Sequence, residues 1–509
     1  MLRVRVRAAT RAVSHAPGAG RENAHVDAGL LLLVIGALLG ATVVVALGAS
    51  RVGFPLLVAF LALGMLLGSD GPGGIDFDDA DLARIVGSIG LAAILFEGGL
   101  STSWRRLRGV AVPAAILSTV GVVVTTVVTG VAAHWLFDLS LLQGMLLGAV
   151  VASTDAAAVF STLRFTALRR RLARTLEAES GTNDPMAIAL TLGFIAWLGQ
   201  PVSGFSELVV LVVEQLGIGL VVGVALGALA AWAFARIPPA IGAFAPVASI
   251  AAAALSFGVA DVLGGSGFLS VYLVGLAVGS TPSRYRRQLV AFHEGIAFLA
   301  QVVLFVVLGL LVFPHELPEV ALAGLALAAV LVFVARPAAV ALSVTGQGFT
   351  RNEQLLLGWA GLRGAVPIVL ATFVLSAGLP AADTIFNAVF FVVLVSVLLQ
   401  TSTLEWVARR LGVVSHVTAR AEPPLEVSPT SELELIDFRV EPDHAIADAT
   451  VRELGLPRST LVAVIVRRGE PLPPRGSTVI RAGDLLYVLA RRGTRPDVED
   501  VFERWRRRV

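Results

Sequence analysis

About thirteen apolar runs, most of them close to the roughly 20 residues that carry a helix across a bilayer, dominate this chain. They occupy residues 28–49, 54–69, 82–100, 109–136, 139–163, 176–199, 206–236, 241–263, 266–280, 290–313, 316–345, 353–377 and 382–408. Backbone in lipid must satisfy its own polar groups, so runs of this length leave few choices. The expected fold class is an all-α polytopic membrane protein with about 13 transmembrane helices. Composition agrees, since 56% of the 509 residues are hydrophobic and 15% charged, against about 25% charged in soluble domains. A soluble chain this apolar would aggregate.

The connections between runs alternate in charge. One set carries Arg51, then Arg105, Arg106 and Arg108, then Arg164, Arg169, Arg170, Arg171 and Arg174, then Arg236, then Arg284, Arg286 and Arg287, and Arg351. The other carries Asp70, Asp76, Asp78, Asp79, Asp81, Asp138, Glu207, Asp261, Glu316, Glu319 and Asp383, with Arg84 the main exception. Cytoplasmic loops collect basic residues. The expected arrangement is therefore a plasma-membrane protein with its N-terminus outside and its C-terminus in the cytoplasm. Residues 1–27, which hold Arg3, Arg5, Arg7, Arg11 and Arg21, disagree with that orientation. They read as an extension from a misassigned start, with Val26 a candidate first residue.

After Arg409 and Arg410 the composition changes. The membrane part is expected to span 28–410, followed by a linker over 411–431 that contains Pro423, Pro424 and Pro429. Residues 432–495 read as a small α+β domain. Strand-like runs lie at 433–440, 461–466 and 485–489, a short helix at 448–454, and turns at Gly469 and Gly483. Residues 496–509 read as a basic tail. The domain is too small and too poor in paired catalytic groups for an enzyme. No cysteine is present, the seven histidines follow no metal-ligand spacing, and a net charge of +2 gives no sign of nucleic-acid binding.

Ionisable groups within the apolar runs are functional candidates by default, because each costs about 2.5–3.5 kcal/mol at the bilayer centre. They cluster. The sixth run contains Glu177, Glu179, Ser180, Asn183, Asp184 and Pro185. Glu179 and Asn183 are four apart, as are Ser180 and Asp184, giving two adjacent polar stripes on one helical face. Pro185 lacks an N–H and would release the carbonyl of Gly181. The fifth run carries Ser153, Thr154 and Asp155, short polar side chains that can interrupt a helix. The twelfth has Gly361, Arg363, Gly364 and Pro367, which argue for a second broken helix. A buried Arg363 needs a carboxylate, and Glu179 is the expected partner. The two breaks lie seven runs apart, so their helices point in opposite directions. Broken helices in two inverted halves point to a secondary transporter.

At these residues the chain resembles the NhaP-type monovalent cation/proton antiporters. The resemblance rests on FEGGL at 96–100, STDAAAV at 153–159, ESGTNDP at 179–185, FHEG at 292–295 and GLRGAVP at 361–367. The tail resembles a TrkA-C (RCK-C) regulatory domain. The resemblance implies an NhaA-like fold with inverted repeats and two crossed broken helices, working as a homodimer by an elevator motion. It implies that Asp184 is the ion- and proton-binding carboxylate, with Asn183 beside it. Thr154 and Ser180 would be further oxygen ligands, Asp155 would sit at the unwound crossing, and Arg363 with Glu179 would form a structural ion pair. Glu97 matches an acidic position near the site, while His293 and Glu294 would be accessory residues at the cytoplasmic mouth.

Burial penalises a bare carboxylate, and a proton or a monovalent cation can each neutralise it, but not both at once. Competition for one negative site is sufficient for exchange. Because residue 183 is an amide and not a second carboxylate, one proton swaps for one cation and transport is electroneutral. By resemblance, the tail and FHEG favour K⁺ over Na⁺. No cofactor is needed, and a small molecule, a nucleotide among the candidates, is the expected regulator of the tail. The alternative is an RCK-type ligand-gated cation channel, against which no TVGYG-like filter is present.

Overall fold

The computed structural model describes residues 28–52, 54–102, 104–163, 168–199, 205–283, 285–414, 433–457, 460–467, 470–491 and 495–505. The N-terminal extension with Val26, the loop arginines Arg164 and Arg284, most of the linker, Gly469 and residues 506–509 lie outside them. The chain divides into two units, residues 1–418 and 419–509.

Every apolar run contains helix. Helix α1 spans Ala28–Val52, α2 Leu56–Leu67, α3 Ala80–Ser101 and α4 Ala111–Leu136. The fifth run is two helices, α5 (Leu141–Val150) and α6 (Ala156–Thr162). Then come α7 (Arg170–Gly199), α8 (Phe205–Phe234), α9 (Ala245–Val262), α10 (Gly267–Ser280), α11 (Arg286–Leu310) and α12 (Leu317–Val344). The twelfth run is again split, into α13 (Arg351–Trp359) and α14 (Ala365–Ser376), and α15 (Ala382–Arg410) ends the unit. Among the described residues seven helices are long and apolar enough to cross a membrane by themselves: α3, α4, α8, α11, α12, α15 and the span Gly242–Val262 that contains α9. Their outer faces suit lipid; on α8, Val210, Val213 and Val221 are each more than 60% exposed.

Local chemistry sets the ends. Asp79 caps α3 by accepting from the Leu82 N–H, and capping boxes start α5 (Ser140 with Gln143) and α13 (Thr350 with Glu353). Helix α7 begins at Arg170, ahead of the run expected from 176, and continues through Pro185 as one helix.

Two packed groups result. Helices α2, α3, α8, α9, α10 and α11 form one, and α4, α5, α7, α12 and α15 form the other. Contact between the groups runs through α14 against α3, and through α7 against α8 and α10. The α3–α10 contact is backbone to backbone. A Cβ on Gly275 would collide with the Phe96 carbonyl, and one on Gly99 with the Tyr272 carbonyl.

The second unit is a four-stranded antiparallel sheet, ordered β1 (Leu433–Arg439), β4 (Leu485–Arg491), β2 (Thr460–Arg467), β3 (Glu470–Leu472). The short helix expected near 448–454 is a single 3₁₀ turn, Val451–Leu454. A boundary at 495 is too early. Helix α16 (Arg495–Trp505) places Val498, Val501, Phe502 and Trp505 in the core with Phe438. These apolar residues recur at helical spacing, so much of the supposed basic tail belongs to the domain.

Candidate functional site

The two breaks meet. Residues 151–155 between α5 and α6, and 360–364 between α13 and α14, are non-helical, and each supplies backbone groups to the other. The Asp155 N–H donates to the Leu362 carbonyl at 2.8 Å, and Arg363 Nη1 donates to the Ser153 carbonyl at 2.9 Å. Gly364 is required here, because a Cβ would overlap the Asp155 side chain. Asp155 also caps α6, accepting from the Ala158 N–H at 3.1 Å. On the far side, the Arg363 N–H donates to Ser396 Oγ at 3.2 Å and Gln400 Nε2 to the Trp359 carbonyl at 2.7 Å. Unwound backbone at membrane depth is thus satisfied by neighbouring protein.

Helix α7 passes beside this crossing. Asn183 Nδ2 donates to Thr154 Oγ1 at 2.6 Å. The remaining oxygens, Asn183 Oδ1 and Asp184 Oδ1, are buried and have no hydrogen-bond donor among the described residues. Buried polar atoms are almost always paired, so two donor-free oxygens on adjacent residues mark a place that suits an electropositive guest. Ser180 lies one turn before Asp184 and is half-buried. Asp155 acts electrostatically on Asp184, so the site gathers negative charge at the meeting of α7 with the two breaks.

The expected pairing of Arg363 with Glu179 is not formed. Glu179 is held by Arg336 of α12 in a two-pronged ion pair, Nη1 to Oε1 at 2.5 Å and Nη2 to Oε2 at 2.9 Å, with both side chains buried. Arg336 Nη2 also donates to the Leu357 carbonyl at 3.3 Å. Arg363 keeps Nε and Nη2 without a partner among the described residues. The correction has a simple cause: α12 brings a guanidinium closer to Glu179 than the crossing does, and its fork takes one bond on each carboxylate oxygen. Arg336 is therefore the residue that sequence reasoning missed. It carried the same signal as Arg363, a lone arginine within an apolar run.

The accessory residues have contacts of their own. Glu97 accepts from Ser101 of its own helix at 2.5 Å. His293 is buried, with Nε2 2.7 Å from Ser249 Oγ and its ring 4.6 Å from that of Phe96. Ser249 Oγ gives its proton to the Pro246 carbonyl, so the histidine is the donor in that pair. Glu294 is exposed.

From Asp184, the face of α7 that carries Ile188 and Leu192 runs along a cavity of 420 Å³ lined also by Arg84 of α3, Asp261 of α9 and Phe373 of α14. The cavity lies at the seam between the two helix groups. Crossed broken helices, a buried carboxylate with a donor-free oxygen, and a cavity along the same helix define an ion-coupled membrane transporter, not an enzyme.

The comparisons agree. Residues 35–410 match the sodium/hydrogen exchanger transmembrane family, and residues 435–503 match the TrkA-C domain. The chain is 41% identical over 475 residues to the K(+)/H(+) antiporter NhaP2 of Shewanella sp. (strain MR-4), covering 92% of this chain and 83% of that relative. It is 40% identical to the K(+)/H(+) antiporter NhaP of Alkalimonas amylolytica, covering 93% and 83%. The structure of the sodium proton antiporter MjNhaP1 from Methanocaldococcus jannaschii at pH 8 superposes with a TM-score of 0.65 at 27% identity, over 75% of this chain and 99% of that one. This chain belongs to the sodium/hydrogen exchanger family, as a cation/proton antiporter carrying a TrkA-C regulatory domain.

Proposed function

We propose that the protein exchanges one K⁺ for one H⁺ by alternating access, electroneutrally, with Asp184 as the carboxylate for which the two cargoes compete. What supports this reading is the pair of buried, donor-free oxygens on Asn183 and Asp184 beside the crossed breaks. A proton neutralises the Asp184 carboxylate covalently. A dehydrated monovalent cation does so by coordination, with Asn183 Oδ1, Thr154 and Ser180 as further oxygens. A bare carboxylate in a dry seam is the disfavoured state, so the empty carrier crosses least readily and the two fluxes are coupled. Asn183 cannot titrate, which limits the exchange to one proton per cation. The Glu179–Arg336 pair neutralises the only other fully buried carboxylate described on α7 and holds α7 against α12.

K⁺ over Na⁺ is supported by the relatives named as K(+)/H(+) antiporters at 40–41% identity over most of the chain. The Na(+)/H(+) antiporter ApNhaP of Aphanothece halophytica is 29% identical over 73% of the chain. We further propose a homodimer in the plasma membrane with the C-terminus in the cytoplasm. There the TrkA-C domain would bind a small-molecule regulator of transport, in the service of cytoplasmic pH homeostasis.

Everted vesicles loaded with a pH-sensitive dye test this directly. Adding K⁺ should dequench the dye at lower concentration than Na⁺ or Li⁺, without response to an imposed membrane potential. Asp184→Asn should give no cation-driven signal at all. Full activity of that variant would remove Asp184 from the mechanism.

A further inference from the structure

Tyr272 of α10 is 2% exposed, and its hydroxyl has no hydrogen-bond partner among the described residues. A buried phenol normally finds one. This one is pressed against α7 at a glycine: a Cβ on Gly181 would lie 2.5 Å from the Tyr272 ring and 2.6 Å from its hydroxyl oxygen. Gly181 stands four residues after Glu177 and three before Asp184, so both carboxylates share its face of the helix. The hydroxyl accordingly lies within electrostatic reach of Glu177 and Asp184. Three residues of helix correspond to about 4.5 Å of rise, a distance that a carboxylate rotamer change or a small slide of α7 along α10 would close.

The other charged groups nearby have different commitments. Glu177 accepts from Thr102 at 3.2 Å, Glu97 of α3 accepts from Ser101, and Glu179 is paired with Arg336. Asp155 acts on Asp184 electrostatically from the crossing. Asp261 of α9 lies at the cavity, and Glu207 and Glu214 of α8 are exposed. Tyr272 is the neutral donor placed between the two half-turns of α7 that carry charge. It also belongs to the opposite helix group, fixed through the close α3–α10 contact.

We propose that Tyr272 is a positioning residue of the exchange site, whose hydroxyl donates a hydrogen bond to the Asp184 carboxylate once that group has released its proton, and keeps it when the cation is bound. The proposal rests on the reading of Asp184 as the exchange carboxylate. A donor to the charged form favours that form. It makes the bare carboxylate less costly while the site changes cargo and weakens the proton's hold against the competing cation. Removing the hydroxyl leaves the proton the stronger competitor.

The test is Tyr272→Phe in the full-length protein, with Asp184→Asn beside it, assayed by K⁺-driven dye dequenching in everted vesicles across pH. Tyr272→Phe should still exchange, with its pH profile moved about one unit alkaline, equivalent to tenfold in proton affinity. On the acidic limb the apparent KM for K⁺ should rise by about the same factor, more than the maximal rate falls. Its melting temperature in detergent should be no lower than that of the parent, because the hydroxyl has no partner to lose among the described residues. A profile that superposes on the parent, an acidic shift, or a protein that fails to fold each overturns the proposal. An unshifted Tyr272→Phe with an inactive Asp184→Asn removes Tyr272 alone, whereas an active Asp184→Asn removes the exchange carboxylate itself.

Discussion

Glu179 and Asp184 sit five residues apart on one helix, 1% and 6% exposed, and are treated in opposite ways. Glu179 has both oxygens bound by one guanidinium, so its charge is cancelled permanently by the protein. Asp184 has an oxygen to which no donor points among the described residues, so its charge is left for something that comes and goes. Burial alone therefore does not mark an exchange site. A fully satisfied buried carboxylate is structure, and one left incomplete is available for transport.

The comparison breaks most completely at Asp184. Asn there keeps the shape and removes the charge. Cation-driven dequenching should vanish while folded yield, read by size-exclusion chromatography, is maintained. Glu179→Gln should do the reverse, stranding the Arg336 guanidinium in the interior at a cost of about 3–5 kcal/mol and lowering the yield of folded protein. Adding Arg336→Met should recover much of that yield, since replacing a buried ion pair with apolar groups is often close to neutral. If Glu179→Gln folds normally and only transport is lost, the division between the two carboxylates is wrong.

Much of this was legible in the sequence, for identifiable reasons. The breaks at 151–155 and 360–364 stood out because Ser153, Thr154, Asp155, Gly361, Gly364 and Pro367 interrupt otherwise apolar runs. The helix period placed Glu179 with Asn183, and Ser180 with Asp184, as adjacent stripes on one face of α7. Partner choice was not legible. Arg336 and Arg363 are both single arginines in apolar runs, and which of them meets Glu179 depends on how α12 packs across α7, which no local pattern encodes. Arg336 should still have been counted as a candidate. Tyr272 was less accessible still, because its meaning lies in Gly181, a neighbour on a helix more than 80 residues earlier. At the C-terminus, weight given to the arginines of 504–508 hid the apolar spacing of Val498, Val501, Phe502 and Trp505, which did predict a packed helix.

The comparison can be sharpened at Asn183. Its side chain spends one nitrogen on Thr154 and leaves an oxygen bare, so Asn183→Asp adds a second carboxylate without adding bulk. The site could then take up one more positive charge in one of its two loading states. The expected result is exchange that responds to an imposed membrane potential, whereas the parent does not. A potential-independent variant would mean that residue 183 does not set stoichiometry.

The smallest effect is expected far from the site, where a carboxylate and a cation meet in water. Asp70, just after α2, contacts His315, just before α12, and the His315 N–H lies 3.4 Å from the same carboxylate oxygen. The histidine hydrogen bond holds Asp70 below its usual 3.8, and the Asp70 hydrogen bond holds His315 above 6.5, with Glu316 and Glu319 adding to it. The signs fix a window. The raised histidine contributes stability that is full below 6.5 and fades as pH rises through its higher folded value. The depressed aspartate contributes stability that is full above 3.8 and fades as pH falls through its lower folded value. The contact is thus strongest between those limits. Because both groups are open to solvent, water and salt screen the pair and keep its worth small. Melting temperature measured against pH should show a slight alkaline decline in the parent that His315→Gln flattens and that added salt reduces. An equal decline in that variant would assign the pH response to other groups, with the loop contact making no measurable contribution to it.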